Sequence, residues 1–142
     1  MTDEGRVLAL DLGDKRIGVA VSDPTRLIAR SHSVLERRSR KEDFEQIAQI
    51  IADEAVSLVV VGLPIPLSGV EGDRVAWTRD YATDLGNKIN APIVFWDESF
   101  STIQAEASLR ARGKSARQQR DWIDAVAAAI ILQDFLDAHA TD

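Results

Sequence analysis

Leu58 to Val61 reads LVVV, four apolar residues with no polar alternate, and Gly62 closes the run. A strand that faces water on one side alternates apolar with polar residues, so an unbroken run implies a strand covered on both faces by helices. The segment before it supplies one such helix. Phe44, Ile47, Ala48, Ile51 and Ala55 recur at helical spacing and predict an amphipathic helix from about Lys41 to Glu54.

The chain begins differently. Arg6 to Asp11 (RVLALD) and Ile17 to Ser22 (IGVAVS) are short β-branched runs around Gly13, Asp14 and Lys15, which predicts a hairpin; a third strand is expected around Ala29 to Leu35. Gly62 to Gly72 (GLPIPLSGVEG) breaks any regular element and predicts a long loop at a strand's C-terminal end, where open α/β sheets hold ligands. A helix from about Asp73 to Lys88 and a strand from Ile93 to Trp96 follow, the strand ending at Asp97 and Glu98. Ser101 and Gln104 have the spacing of a capping box, opening a helix through about Arg112 that Gly113 stops. Asp121 is expected to cap a final helix with Ile123, Val126, Ala127, Ile130, Ile131 and Phe135 on its apolar face. The order β-β-β-α-β-α-β-α-α predicts an α/β fold, a mixed five-stranded sheet led by a hairpin with helices packed on it.

Length and composition narrow the function. The 142 residues, 45% hydrophobic and 28% charged, suit one globular domain spanning 1–142. With no cysteine, disulfides and thiolate metal sites are excluded, and a cytoplasmic location is expected. The start lacks a signal-peptide pattern, and the longest apolar run, Ala125 to Leu132, is far shorter than the roughly 20 residues a bilayer requires. Net charge is −6, against coating nucleic acid through bulk positive charge. Bases nonetheless gather at Arg37, Arg38, Arg40 and Lys41, and again at Arg110, Arg112, Lys114, Arg117 and Arg120. Each cluster could grip phosphates or form a solvated face; Glu36, Glu42 and Asp43 beside the first favour the plainer role there.

Three acids stand out. Asp11 closes an apolar strand before a glycine turn, where it could equally bond its own backbone. Glu98 follows the apolar pair Phe95 and Trp96 at another strand end and is preferred to its neighbour Asp97, which strand phase could also place there. Asp124 would be the third helical residue after a cap at Asp121, a position the helix dipole favours, yet it shares a face with Ala128, Ile131 and Leu132. A carboxylate on such a stripe needs a cation or several donors to offset desolvation. Mg²⁺ and Mn²⁺ take oxygen ligands, and two such ions about 3.5–4 Å apart can cleave a phosphodiester without a histidine base. His32, on a strand, and His139, near the end of the chain, are the only histidines. No Walker A loop, cysteine nucleophile or G-x-S-x-G elbow competes.

Four segments together resemble the YqgF/RuvX family over nearly the whole chain: LALDLGDKRIGVAVSD (Leu8 to Asp23), GLPIPLSGVEG (Gly62 to Gly72), DESFST (Asp97 to Thr102) and DAVAAAIILQDFL (Asp124 to Leu136). Its members are small bacterial proteins described as candidate nucleases of the 16S ribosomal RNA precursor or as Holliday junction resolvase-like enzymes. The resemblance implies a ribonuclease H-like fold, an acidic site of Asp11, Glu98 and Asp124 holding Mg²⁺ or Mn²⁺, and a nucleic-acid substrate, either pre-rRNA or branched DNA. It places Lys15 and Arg16 near that site, as contacts to substrate phosphate or as part of a solvated turn. Two positions depart from the family pattern: Ser99 stands where an arginine is usual and Pro66 where an asparagine is usual.

Three functions are therefore open: a metal-dependent nuclease, an actin-like or sugar-kinase-like ATPase, and a non-catalytic nucleic-acid-binding maturation factor. The ATPases close two domains on a nucleotide, and this chain supplies one. A binder has no need to place acids near phosphate, which leaves the nuclease preferred. Both a monomer and a homodimer are compatible with the sequence.

Overall fold

The computed structural model describes residues 5–65, 68–97 and 116–140. Its elements are β1 (Arg6–Leu12), β2 (Arg16–Ser22), β3 (Ala29–Glu36), α1 (Arg40–Asp53), β4 (Val56–Leu63), α2 (Asp73–Gly86), β5 (Ile93–Asp97) and α3 (Ala116–Ala138). The strands form one sheet in the order β3-β2-β1-β4-β5. β1 pairs antiparallel with β2 and β2 antiparallel with β3, while β4 runs parallel to both β1 and β5. The parallel half puts the C-terminal ends of β1, β4 and β5 along one edge.

Each face of the sheet has its own core. Leu8, Leu10 and Leu12 of β1 pack with Phe44 and Ile47 of α1 and Tyr81 and Leu85 of α2. Val7 and Ala9 point the other way, into a core with Val126, Ala128, Ile131 and Leu132 of α3. β4 contributes to both, Val59 and Val61 to the first and Val60 to the second, which is why its run lacks polar alternates. Along β1 the period of two carries Val7 and Ala9 on to Asp11, so the acid belongs to the α3 face.

Local chemistry sets the first helix. Ser39 caps α1 by accepting from Glu42 N at 3.1 Å. Asp43, in the first turn, accepts from Arg38 N at 2.9 Å and from the Tyr81 hydroxyl at 2.9 Å, tying α1 to α2 through a buried pair.

The last helix departs from expectation. It begins at Ala116 rather than at a cap on Asp121, because Ala116, Arg117, Gln118, Gln119 and Arg120 are all good helix formers and nothing among them stops propagation. Asp124 therefore lies in the third turn of α3, beyond the reach of the dipole's first turn. The helix expected from Ser101 to Arg112 falls outside the described residues. No helix of the described residues is long and apolar enough to cross a membrane.

Candidate active site

The hairpin between β1 and β2 is tight. Gly13 N donates to Arg16 O at 2.9 Å, and a Cβ at Gly13 would lie 2.7 Å from that same oxygen, so only glycine fits the turn. Asp11 takes no part in closing it, and among the described residues no hydrogen bond reaches its carboxylate. Burial is the largest influence on this acid and the Asp124 charge the next; against the opposing pull of Arg74, they raise its pKa from 3.8 to about 6.

Asp124 reaches the same place from the other side. Gly18 of β2 is the cross-strand partner of Asp11, and a Cβ at Gly18 would lie 2.1 Å from the main-chain oxygen of Asp124 and 3.4 Å from Ala128 Cβ. The absence of that Cβ lets α3 lie against the sheet at Asp124. The Asp124 carboxylate, partly buried, accepts from Arg16 Nε at 2.5 Å. The two acids thus share one partly buried corner, where the Asp124 charge disfavours ionisation of Asp11.

Two guanidiniums brace the turn. Arg37 donates to Gly13 O at 3.1 Å and Asp14 O at 2.9 Å, and its own N–H donates to Lys15 O at 2.8 Å. Arg74, in the first turn of α2, donates to Leu12 O and pairs with Asp14. Trp77 packs against both, its ring centroid 4.4 Å from the Arg37 guanidinium and 5.1 Å from that of Arg74. Arg74 went unnoticed in the sequence because a lone arginine after a glycine loop carries no local signal. Its charge opposes the rise in the Asp11 pKa, so Arg74→Ala is expected to move that midpoint further above about 6. A carboxyl-carbon NMR titration reads this directly; an unmoved midpoint would remove Arg74 from the electrostatics of the site.

The other sequence candidates distribute clearly. Lys15 is exposed at the hairpin tip, whereas Arg16 is turned onto Asp124. In the first basic cluster, Arg37 braces the turn and Arg40 pairs with Asp80 and Asp84. Arg38 and Lys41 are exposed. Asp97 is placed by strand phase: Ile93 and Phe95 pack with the α1 and α2 core and Trp96 with the α3 core, so Asp97 falls opposite to the face of Asp11. Glu98, Ser99, Pro66, Arg110, Arg112 and Lys114 lie outside the described residues.

Carboxylate oxygens are the donors that hard divalent cations accept, and a buried acid strained by a neighbouring acid gains when a cation arrives, so the pair fits a metal ion. Among the described residues no group of three or more His, Cys, Asp or Glu converges. Asp11 and Asp124 are the two carboxylates that could serve as ligands there.

A mixed sheet in this strand order with helices on both faces defines the ribonuclease H-like class. Solved structures share it: RuvC of T. thermophilus in complex with a Holliday junction substrate superposes with a TM-score of 0.60 at 16% identity, covering 96% of each chain. The Fowlpox virus Holliday junction resolvase gives 0.54 at 12% identity, covering 94% of this chain and 99% of the other. The chain belongs to the RuvX family, described as Holliday junction resolvase, whose pattern matches residues 5–138. A relative from Anaeromyxobacter sp. (strain K), named as a candidate pre-16S rRNA nuclease, is 44% identical over 135 residues, covering 95% of this chain and 98% of its own. One from Roseiflexus sp. (strain RS-1), named likewise, is 40% identical over 137 residues, covering 96% and 97%. Family membership makes the chain an enzyme, a metal-dependent nuclease.

Proposed function

We propose that the chain is an endonuclease acting on structured nucleic acid, that its substrate is the 5′ end of precursor 16S ribosomal RNA, and that Mg²⁺ or Mn²⁺ is held by Asp11, Glu98 and Asp124. The supporting observation is the meeting of Asp11 and Asp124 on the α3 face, where neither acid closes the turn or caps a helix. Asp97, in the opposite phase, leaves Glu98 as the acid of that strand end to propose as third ligand. Bound divalent ions supply activation of the attacking water and stabilisation of the leaving oxygen. Asp11 contributes only when ionised, and a cation at the site would favour that form against the burial and the Asp124 charge that raise its pKa. Gly18 and the Arg37 and Arg74 braces hold the two acids in register, and Lys15 at the hairpin tip is within the loop edge that a phosphate would approach. Arg110, Arg112 and Lys114 are proposed as further phosphate contacts.

The relatives' names favour the RNA substrate. The family's description, and the likeness to a resolvase solved with its junction, favour branched DNA as the second reading. Purified chain offered Mg²⁺ or Mn²⁺ with ribosomal precursor RNA and, in parallel, a four-way DNA junction is expected to trim the RNA and leave the junction largely intact. A symmetric pair of nicks in the junction by a homodimer, with the RNA untouched, would reverse that choice, since resolving a two-fold junction requires a two-fold enzyme.

A further inference from the structure

Arg16 makes the one direct charged contact described for Asp124, and it does so with Nε on Oδ2, one of the two oxygens that carboxylate could offer a metal ion. The guanidinium is not a chance visitor. Its main chain is fixed by the Gly13 N to Arg16 O bond, its turn is braced by Arg37 and Arg74, and both side chains of the pair are more than two-thirds buried. Asp124 and Asp11 together bring two negative charges to this corner, and Arg16 compensates one of them. A divalent cation arriving there meets a positive charge already seated on its ligand.

We propose that Arg16 is a built-in rival of the metal ion: it holds Asp124 in the metal-free enzyme and yields Oδ2 when that carboxylate ligates a divalent cation. This rests on the reading of Asp124 as a metal ligand and adds an order of events to it. A purely supporting arginine, by contrast, would keep its bond to Asp124 throughout and strengthen metal binding by orienting the ligand.

The test is a calorimetric Mg²⁺ titration of the wild type, Arg16→Gln, Arg16→Lys and Asp124→Asn, with no substrate present. Arg16→Gln is expected to bind Mg²⁺ about tenfold more tightly than the wild type, since a like charge close to the site is removed. Arg16→Lys, which keeps the charge, is expected to stay within about threefold of the wild type. The metal-free Arg16→Gln protein is expected to melt lower than the wild type and to gain more from Mg²⁺. A second measurement needs no variant: the Arg16 Nε–H resonance of the wild type should leave its hydrogen-bonded position as Mg²⁺ saturates. Arg16→Gln binding that is equal or weaker, with the resonance unmoved at saturation and binding still lost in Asp124→Asn, would overturn the rivalry and leave the metal site standing. Wild-type binding that is absent, or indifferent to Asp124→Asn, would overturn the metal site and the rivalry with it.

Discussion

Asp11→Asn is expected to abolish cleavage, by about a thousandfold or more, and to make the metal-free protein more stable. The two effects have one origin. In the folded chain the Asp11 pKa is raised from 3.8 to about 6, by burial first and the Asp124 charge second. A raised acid favours folding fully below pH 3.8 and loses that contribution as pH climbs through about 6, so at pH 8 the ionised side chain opposes folding. The difference corresponds to roughly 2–3 kcal/mol as an upper bound, or about 5–10 °C in melting temperature for a domain of this size. Asparagine keeps the shape and carries no charge. Thermal melts in chelator at pH 8 should therefore place the variant above the wild type, and at pH 4 the two should converge. Saturating Mg²⁺ should reverse the order, because binding to the native state stabilises the wild type alone. A variant that melts below the wild type at pH 8 without metal, or that still cuts, would remove Asp11 from the site.

The phase of Asp11 was legible in the sequence: Val7 and Ala9, alternating with Leu8 and Leu10, already assign it to one face of a strand. What that face would meet was not legible, because α3 comes from the far end of the chain. The start of α3 differs from the expected one for a local reason. Asp121 is a good cap residue, but a cap is used only where the preceding residues resist helix, and 116–120 do not. Correcting that start removes the helix-dipole account of Asp124 and leaves the buried stripe of Ala128, Ile131 and Leu132 as its real context. The braces were invisible for the same reason as the meeting of the acids. Arg37 reads as part of a basic run and Arg74 as an isolated charge, and only the sheet brings both to the carbonyls of one turn. Asp97 and Glu98 are adjacent, so their separation needed the phase of β5, which Ile93, Phe95 and Trp96 define once the two cores are known.

Gly18→Ala is expected to separate the two acids. Gly18 and Ala20 are small and in phase on β2, and α3 brings Ala128 against Gly18. An added Cβ would sit 2.1 Å from the main-chain oxygen of Asp124, and no rotamer change can relieve a clash with backbone. Either α3 lifts from the sheet by about 1 Å or more, or β2 bends away from β1. Overpacking of this kind typically costs about 1–3 kcal/mol, and a displacement of about 1 Å at a reacting centre can cost about a hundredfold in rate. Both losses should appear together, as a melting temperature lowered by several degrees and cleavage reduced about a hundredfold at saturating Mg²⁺. The decisive comparison is metal choice, measured by calorimetry on the folded variant. Mg²⁺ demands near-ideal geometry at about 2.0–2.1 Å, whereas Ca²⁺ accepts looser sites at about 2.3–2.6 Å, so carboxylates moved apart should lose Mg²⁺ affinity more than Ca²⁺ affinity. Equal losses for both ions would show that Gly18 serves packing alone. A selective loss of Mg²⁺ would show that the close approach of α3 to β2 sets the distance across which the two acids share an ion.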